Sequence, residues 1–84
     1  MIEPSKQRAA LQAIQAVMWE ARLQAHREVP HERLASMMDK AEYLVALMLE
    51  ERDQTAFFRS HLESLKEHHG CAMALGMFEA QPDP

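Results

Sequence analysis

Residues that break helices are nearly absent from this chain, and their positions divide it into segments. Between residues 5 and 69 the sole proline or glycine is Pro30, and the two glycines, Gly70 and Gly76, come near the end. Proline disfavours helical geometry in the residue before it and suits the first turn of a new helix. The sequence therefore predicts one helix that ends just before Pro30 and another that begins there.

The apolar residues are of the types that helices favour. The 84 residues include 13 Ala, nine Leu and seven Met, against six β-branched residues. Alanine and straight-chain residues lose little entropy in a helix, whereas strands favour β-branched and aromatic residues. We expect an all-α protein, a small helical bundle of three main helices over 5–28, 30–51 and 54–69 that is completed by homodimerisation.

The boundary between the second and third predicted helices has two interpretations. The polar run 50–55 separates two apolar stripes, and Asp53 or Thr55 could cap a new helix there. A heptad spacing continues through the run, which contains neither glycine nor proline, so one long helix is the alternative. Because uninterrupted helices of nearly 40 residues are rare in small domains, we favour the break.

The end of the third predicted helix is marked by Gly70. Glycine readily adopts the left-handed conformation that closes a helix, and His68 and His69 suit the negative end of the helix dipole. The apolar octet 71–78 must then be buried, as a short fourth helix or as a docked segment. We expect residues 1–80 to form a single helical domain and residues 81–84 a disordered tail.

The first two predicted helices carry apolar residues on two opposed faces. On a helical wheel the main face of the first helix is Leu11, Ile14, Met18, Ala21 and Ala25. A smaller strip with Ala16, Trp19 and Leu23 lies opposite, and Tyr43 with Leu47 forms the equivalent strip of the second helix. Exposed aromatic residues beside aliphatic ones are typical of interfaces. The candidate interface residues are therefore Trp19, Leu23, Tyr43 and Leu47.

Three arrangements could cover these strips: self-association, a short fourth helix of the same chain, or another protein. Two-fold homodimers are the commonest oligomers, so we expect a homodimer, with one other protein as a further partner. Nine Lys and Arg against 13 Asp and Glu give a net charge of −4. Such a balance argues against nucleic acid, because phosphate binding needs clustered cations.

We expect neither a targeting segment nor a disulfide in this chain. The first six residues are too polar for a signal peptide, and no apolar run reaches the roughly 18 residues of a membrane span. A single cysteine, Cys71, excludes an internal disulfide. We expect a cytoplasmic protein with no membrane contact.

Residues that could carry chemistry are few, and their spacing is unfavourable. A metal hypothesis would use His61, His68, His69 or Cys71, but His61 and His68 are about 10.5 Å apart along one helix, too far to share an ion. Structural zinc needs four ligands. A thiol that follows a helix C-terminus has a raised pKa, which disfavours a nucleophilic role for Cys71. We expect no metal and no cofactor.

The function class follows from these observations. No glycine-rich phosphate loop is present and no Ser-His-Asp order suggests itself, so we expect no enzyme activity. The interpretation we favour is a non-catalytic helical interaction or regulatory protein that acts through protein–protein contacts. A nucleic-acid-binding regulator is the alternative, although the third predicted helix is poor in the Arg, Lys, Asn and Gln that read DNA. A metal-binding helical protein is the third.

Overall fold

A computed structural model describes residues 2–80, and these residues form four α-helices. The helices are α1 (Pro4–His26), α2 (His31–Leu49), α3 (Thr55–His69) and α4 (Ala72–Glu79). No strand occurs in this described part of the chain. The all-α prediction is confirmed, but the bundle has four helices rather than three main ones, because all of the octet 71–78 except Cys71 lies in α4. The predicted tail, 81–84, lies outside the described residues.

The helix ends follow the local chemistry of the sequence. α2 ends at Leu49 and α3 begins at Thr55, so the break is confirmed and the single long helix is wrong. Asp53 Oδ1 accepts a hydrogen bond from the backbone N–H of Thr55 at 3.0 Å and so satisfies a free donor of the first turn. Gly70 has φ +69°, the left-handed conformation predicted for it.

Each helix packs against two neighbours. α1 contacts α2 and α4, and α3 contacts the same two helices, so α1 and α3 lie diagonally across the bundle. The short connections make successive helices antiparallel. α4 returns towards the start of the chain, since Lys6 Nζ donates a hydrogen bond to the carbonyl of Phe78 at 3.3 Å.

Phe58, near the start of α3, and Phe78, near the end of α4, stack on one another. Both rings are fully buried and their centroids are 4.9 Å apart. An ion pair between Arg59 and Glu79, at 2.6 Å, lies beside them near the surface. The ammonium of Lys6 lies 5.1 Å from the centre of the Phe78 ring. α4 is thereby attached to both α1 and α3.

The buried side of α1 consists mostly of alanine. Its buried apolar residues are Ala9, Ala10, Ala13, Ile14, Ala16, Val17 and Ala21. Small side chains allow two neighbouring helices to approach the α1 axis closely. The predicted main face of the first helix is therefore wrong for Leu11, Met18 and Ala25, which are exposed. Ile14 and Ala21 are buried as predicted.

At the end of the bundle away from the Phe58–Phe78 stack, polar groups join three helices. The carbonyl of His69, at the end of α3, accepts hydrogen bonds from Gln24 Nε2 at 3.1 Å and Arg33 Nη2 at 2.9 Å. Three helices are thus joined at one backbone oxygen that the helix itself leaves free. The bonds orient α1 and α2 relative to the start of α4.

The packing of α4 predicts a sharp difference between two neighbouring residues. Phe78→Ala should lower the free energy of unfolding by about 3–5 kcal/mol, because it removes a fully buried ring. Met77→Ala, at a partly exposed position of the same helix, should change it by less than about 1 kcal/mol. Chemical denaturation followed by circular dichroism measures both. Equal, small losses would mean that α4 is not part of the core.

Candidate interaction surfaces

The four predicted interface residues do not form one patch. Trp19 is 47% exposed and Tyr43 is 49% exposed, whereas Leu23 is half-buried. Leu47 is 3% exposed and belongs to the core of the single chain. The expectation that Leu47 lies on an exposed strip is therefore wrong, because α3 packs on that side of α2.

Trp19 lies beside a groove between α1 and α4, which we call the Trp19 groove. Its volume is about 590 Å³. Met73 and Met77 of α4 form one wall, and Ala16 and Met18 contribute from α1. Gln12, Gln15 and Arg22 complete the lining. The groove presents mostly apolar surface with polar groups at its rim, an arrangement that protein-binding sites share.

Tyr43 lies on a different side of the bundle, between α2 and α3. Its ring contacts the His61 ring edge-on, with centroids 4.5 Å apart. Lys40 Nζ lies 3.3 Å from Nδ1 of the same histidine. Phe57, at the start of α3, is 60% exposed. Tyr43 and Trp19 thus lie on opposite sides, because their helix pairs are α2–α3 and α1–α4.

A third set of exposed apolar side chains belongs to α1 and α2, and we call it the α1–α2 face. Its large exposed side chains are Leu11, Met18, Met38, Val45 and Leu49. These are half of the ten large apolar side chains that are exposed within residues 2–80. The α1–α2 face is thus the most apolar side of the described bundle.

Helical geometry places the two halves of this face together. Ala16 lines the groove with α4, and on the helical wheel Leu11 and Met18 lie about 140–160° from Ala16 around α1. On α2 the side chains of Lys40 and Tyr43 face α3. The exposed residues of α2 in the α1–α2 face project from its other side, towards α1. Met18 borders both the α1–α2 face and the Trp19 groove.

The residues that a metal hypothesis would use make other contacts or are buried. Nδ1 of His61 is at hydrogen-bond distance from the Lys40 ammonium, which disfavours a bound cation, and Nε2 of His69 lies 3.3 Å from Ser36 Oγ. Cys71 is fully buried, and burial is the largest cause of its raised pKa. Within residues 2–80 no three His, Cys, Asp or Glu side chains are grouped to hold an ion.

Comparisons with other proteins add no relatives. No protein-family model, curated protein or solved structure matches the chain. None of the four described helices combines the length and the apolar character needed to cross a membrane. Function is therefore inferred from the surfaces of the described residues.

Two histidines predict how stability depends on pH. Burial, and then the charge of Lys40, lowers the pKa of His61 below 6.5; burial, and then the charge of Arg33, lowers that of His69. The unfolded chain therefore binds protons more readily than the native one as the pH falls below about 6.5. Stability should be greatest above pH 6.5 and decrease as the pH falls through the lowered native pKa values.

The measurement is the free energy of unfolding between pH 7.5 and pH 5. His61→Gln with His69→Gln should flatten the dependence. The matched control is His68→Gln, since His68 is exposed on the same helix. An equally steep dependence in the double variant would contradict the assignment.

A second prediction tests whether the Trp19 ring lies at the surface of the single chain. Because its ring is half-exposed, Trp19→Ala should lower the stability of the dissociated chain by less than about 1 kcal/mol. Denaturation at concentrations where the chain is monomeric measures this. A loss above about 3 kcal/mol would place the ring in the core and remove it as a contact residue.

Proposed function

We propose that this protein is a non-catalytic helical interaction protein that acts through protein–protein contacts and forms a homodimer. The observation that supports this best is the α1–α2 face, where five large apolar side chains are exposed while α1 buries alanine instead. Several large apolar side chains exposed on neighbouring helices of a small protein are typical of a contact surface. The Trp19 groove is a second contact surface, for one other protein.

The side chains that could carry catalysis lie in surroundings that disfavour it, which supports a non-catalytic role. The Cys71 thiol is enclosed in the core and its pKa is raised, so the reactive thiolate is disfavoured. His61 has a lowered pKa and lies against the Lys40 ammonium. His69 Nε2 is at hydrogen-bond distance from the Ser36 hydroxyl, but within residues 2–80 its buried Nδ1 has no hydrogen-bond partner, so no third group orients the ring as a base. Contact surfaces are consequently a better basis for function than any of these groups.

Charge and cysteine chemistry support the remaining parts of the proposal. A net charge of −4 favours protein partners over nucleic acid. We propose a cytoplasmic location, where a free thiol such as Cys71 remains reduced.

Self-association is the direct test. Light scattering at micromolar concentration should give about twice the chain mass of 9.7 kDa. Dilution should recover the single-chain mass without loss of helical circular dichroism, since the chain has its own core. A mass of one chain at all concentrations up to the millimolar range would contradict the homodimer.

A further inference from the structure

We propose that a second copy of this chain covers the α1–α2 face, with α1 of each copy lying on α2 of the other. The two-fold axis then runs parallel to the helices, within the plane of contact. This inference rests on the self-association proposed above and specifies its surface and its geometry. The area, the register and the charge of the face each support it.

The area agrees with what a dimer needs. From their exposed fractions, the five apolar side chains present on the order of 500 Å² per chain. A standard interface buries about 800 Å² per partner, of which somewhat more than half is apolar. The face is therefore large enough for a specific dimer, whereas Tyr43 and Phe57 alone are not.

The register along the helices matches as well. Leu11 and Val45 both lie about 22 Å from the turn that joins α1 to α2, and Met18 and Met38 both lie about 11 Å from it. A two-fold axis parallel to the helices preserves this height. Leu11 therefore meets the partner's Val45 and Met18 meets the partner's Met38, so that apolar groups cover one another.

Charge decides between the two possible directions of the axis. Beyond the apolar residues, the outer edge of α1 carries exposed Arg8 and Arg22, the second of which also lines the Trp19 groove, and that of α2 carries exposed Asp39 and Glu42. With α1 on α2 of the partner, each basic edge meets an acidic edge. With the axis across the helices, α1 would meet α1 and like charges would be opposed, which is unfavourable.

The first experiment removes apolar contacts from the face. The double variant Leu11→Gln and Val45→Gln should raise the dimer dissociation constant at least tenfold, measured by sedimentation or light scattering. Phe57→Gln is the matched control, because Phe57 is 60% exposed and Leu11 58%. That control should leave the constant within about twofold of the wild type. An unchanged constant in the double variant would overturn the proposal.

The second experiment reverses charge and tests the direction of the axis. Arg8→Glu with Arg22→Glu should weaken the dimer, since the new carboxylates face the acidic edge of α2. Adding Asp39→Lys and Glu42→Lys to the same chain should restore it. If α1 instead met α1, Arg8→Glu with Arg22→Glu would replace opposed positive charges by opposed negative ones and leave the dissociation constant unchanged. An unchanged dissociation constant in this double variant would therefore overturn the α1-on-α2 arrangement.

The outcomes also separate this proposal from the one on which it rests. A wild type that is monomeric throughout overturns both. A wild-type dimer that survives the Leu11 and Val45 changes but dissociates with Trp19→Ala leaves self-association intact and overturns the α1–α2 face. All substituted side chains are exposed, so melting of the dilute variants should resemble that of the dilute wild type.

Discussion

The stacking of Phe78 on Phe58 is the interaction on which the rest of the structure depends. Three helices joined by short turns leave one side of α1 and one side of α3 uncovered. α4 covers both, held by the stacked rings, the Arg59–Glu79 ion pair and the bond from Lys6 to the Phe78 carbonyl. With α4 in place, the alanine side of α1 is the side that is enclosed by the bundle.

Local chemistry explains why the helix ends could be predicted. Pro30, Asp53 and Gly70 act on their own backbone neighbours, so their effect needs no knowledge of the tertiary structure. The inward face of α1 could not be read in this way. A helical wheel favours the larger apolar residues such as Leu11 and Met18, whereas the bundle encloses alanines because both neighbours approach closely. Leu47 was placed on an exposed strip because the wheel of α2 alone does not show that α3 packs against this residue.

The candidate interaction surfaces also divide into features that one helix determines and features that depend on how the helices pack. Exposure of Trp19 and Tyr43 followed from the wheel of each helix considered alone, and the structure agrees with it. Their separation onto opposite sides depends on which helices are neighbours, and no spacing within one helix contains that information. The α1–α2 face was missed because Leu11 and Met18 had been placed on the main apolar face of the first helix. A heptad spacing of Leu11, Met18 and Ala25 was the available signal.

The alanine side of α1 has a consequence for mutational tolerance. Where helix axes are close, an added methylene has no space, so Ala10 or Ala13 accepts little besides glycine or serine. Leu11 and Met18, which are large and outward-facing, have no such constraint from the chain's own packing. In a saturation library selected for folding alone, the small residues of α1 would be the intolerant ones and its large residues the permissive ones. If the proposed homodimer forms, selection for function also constrains Leu11 and Met18, because they then contact the second chain.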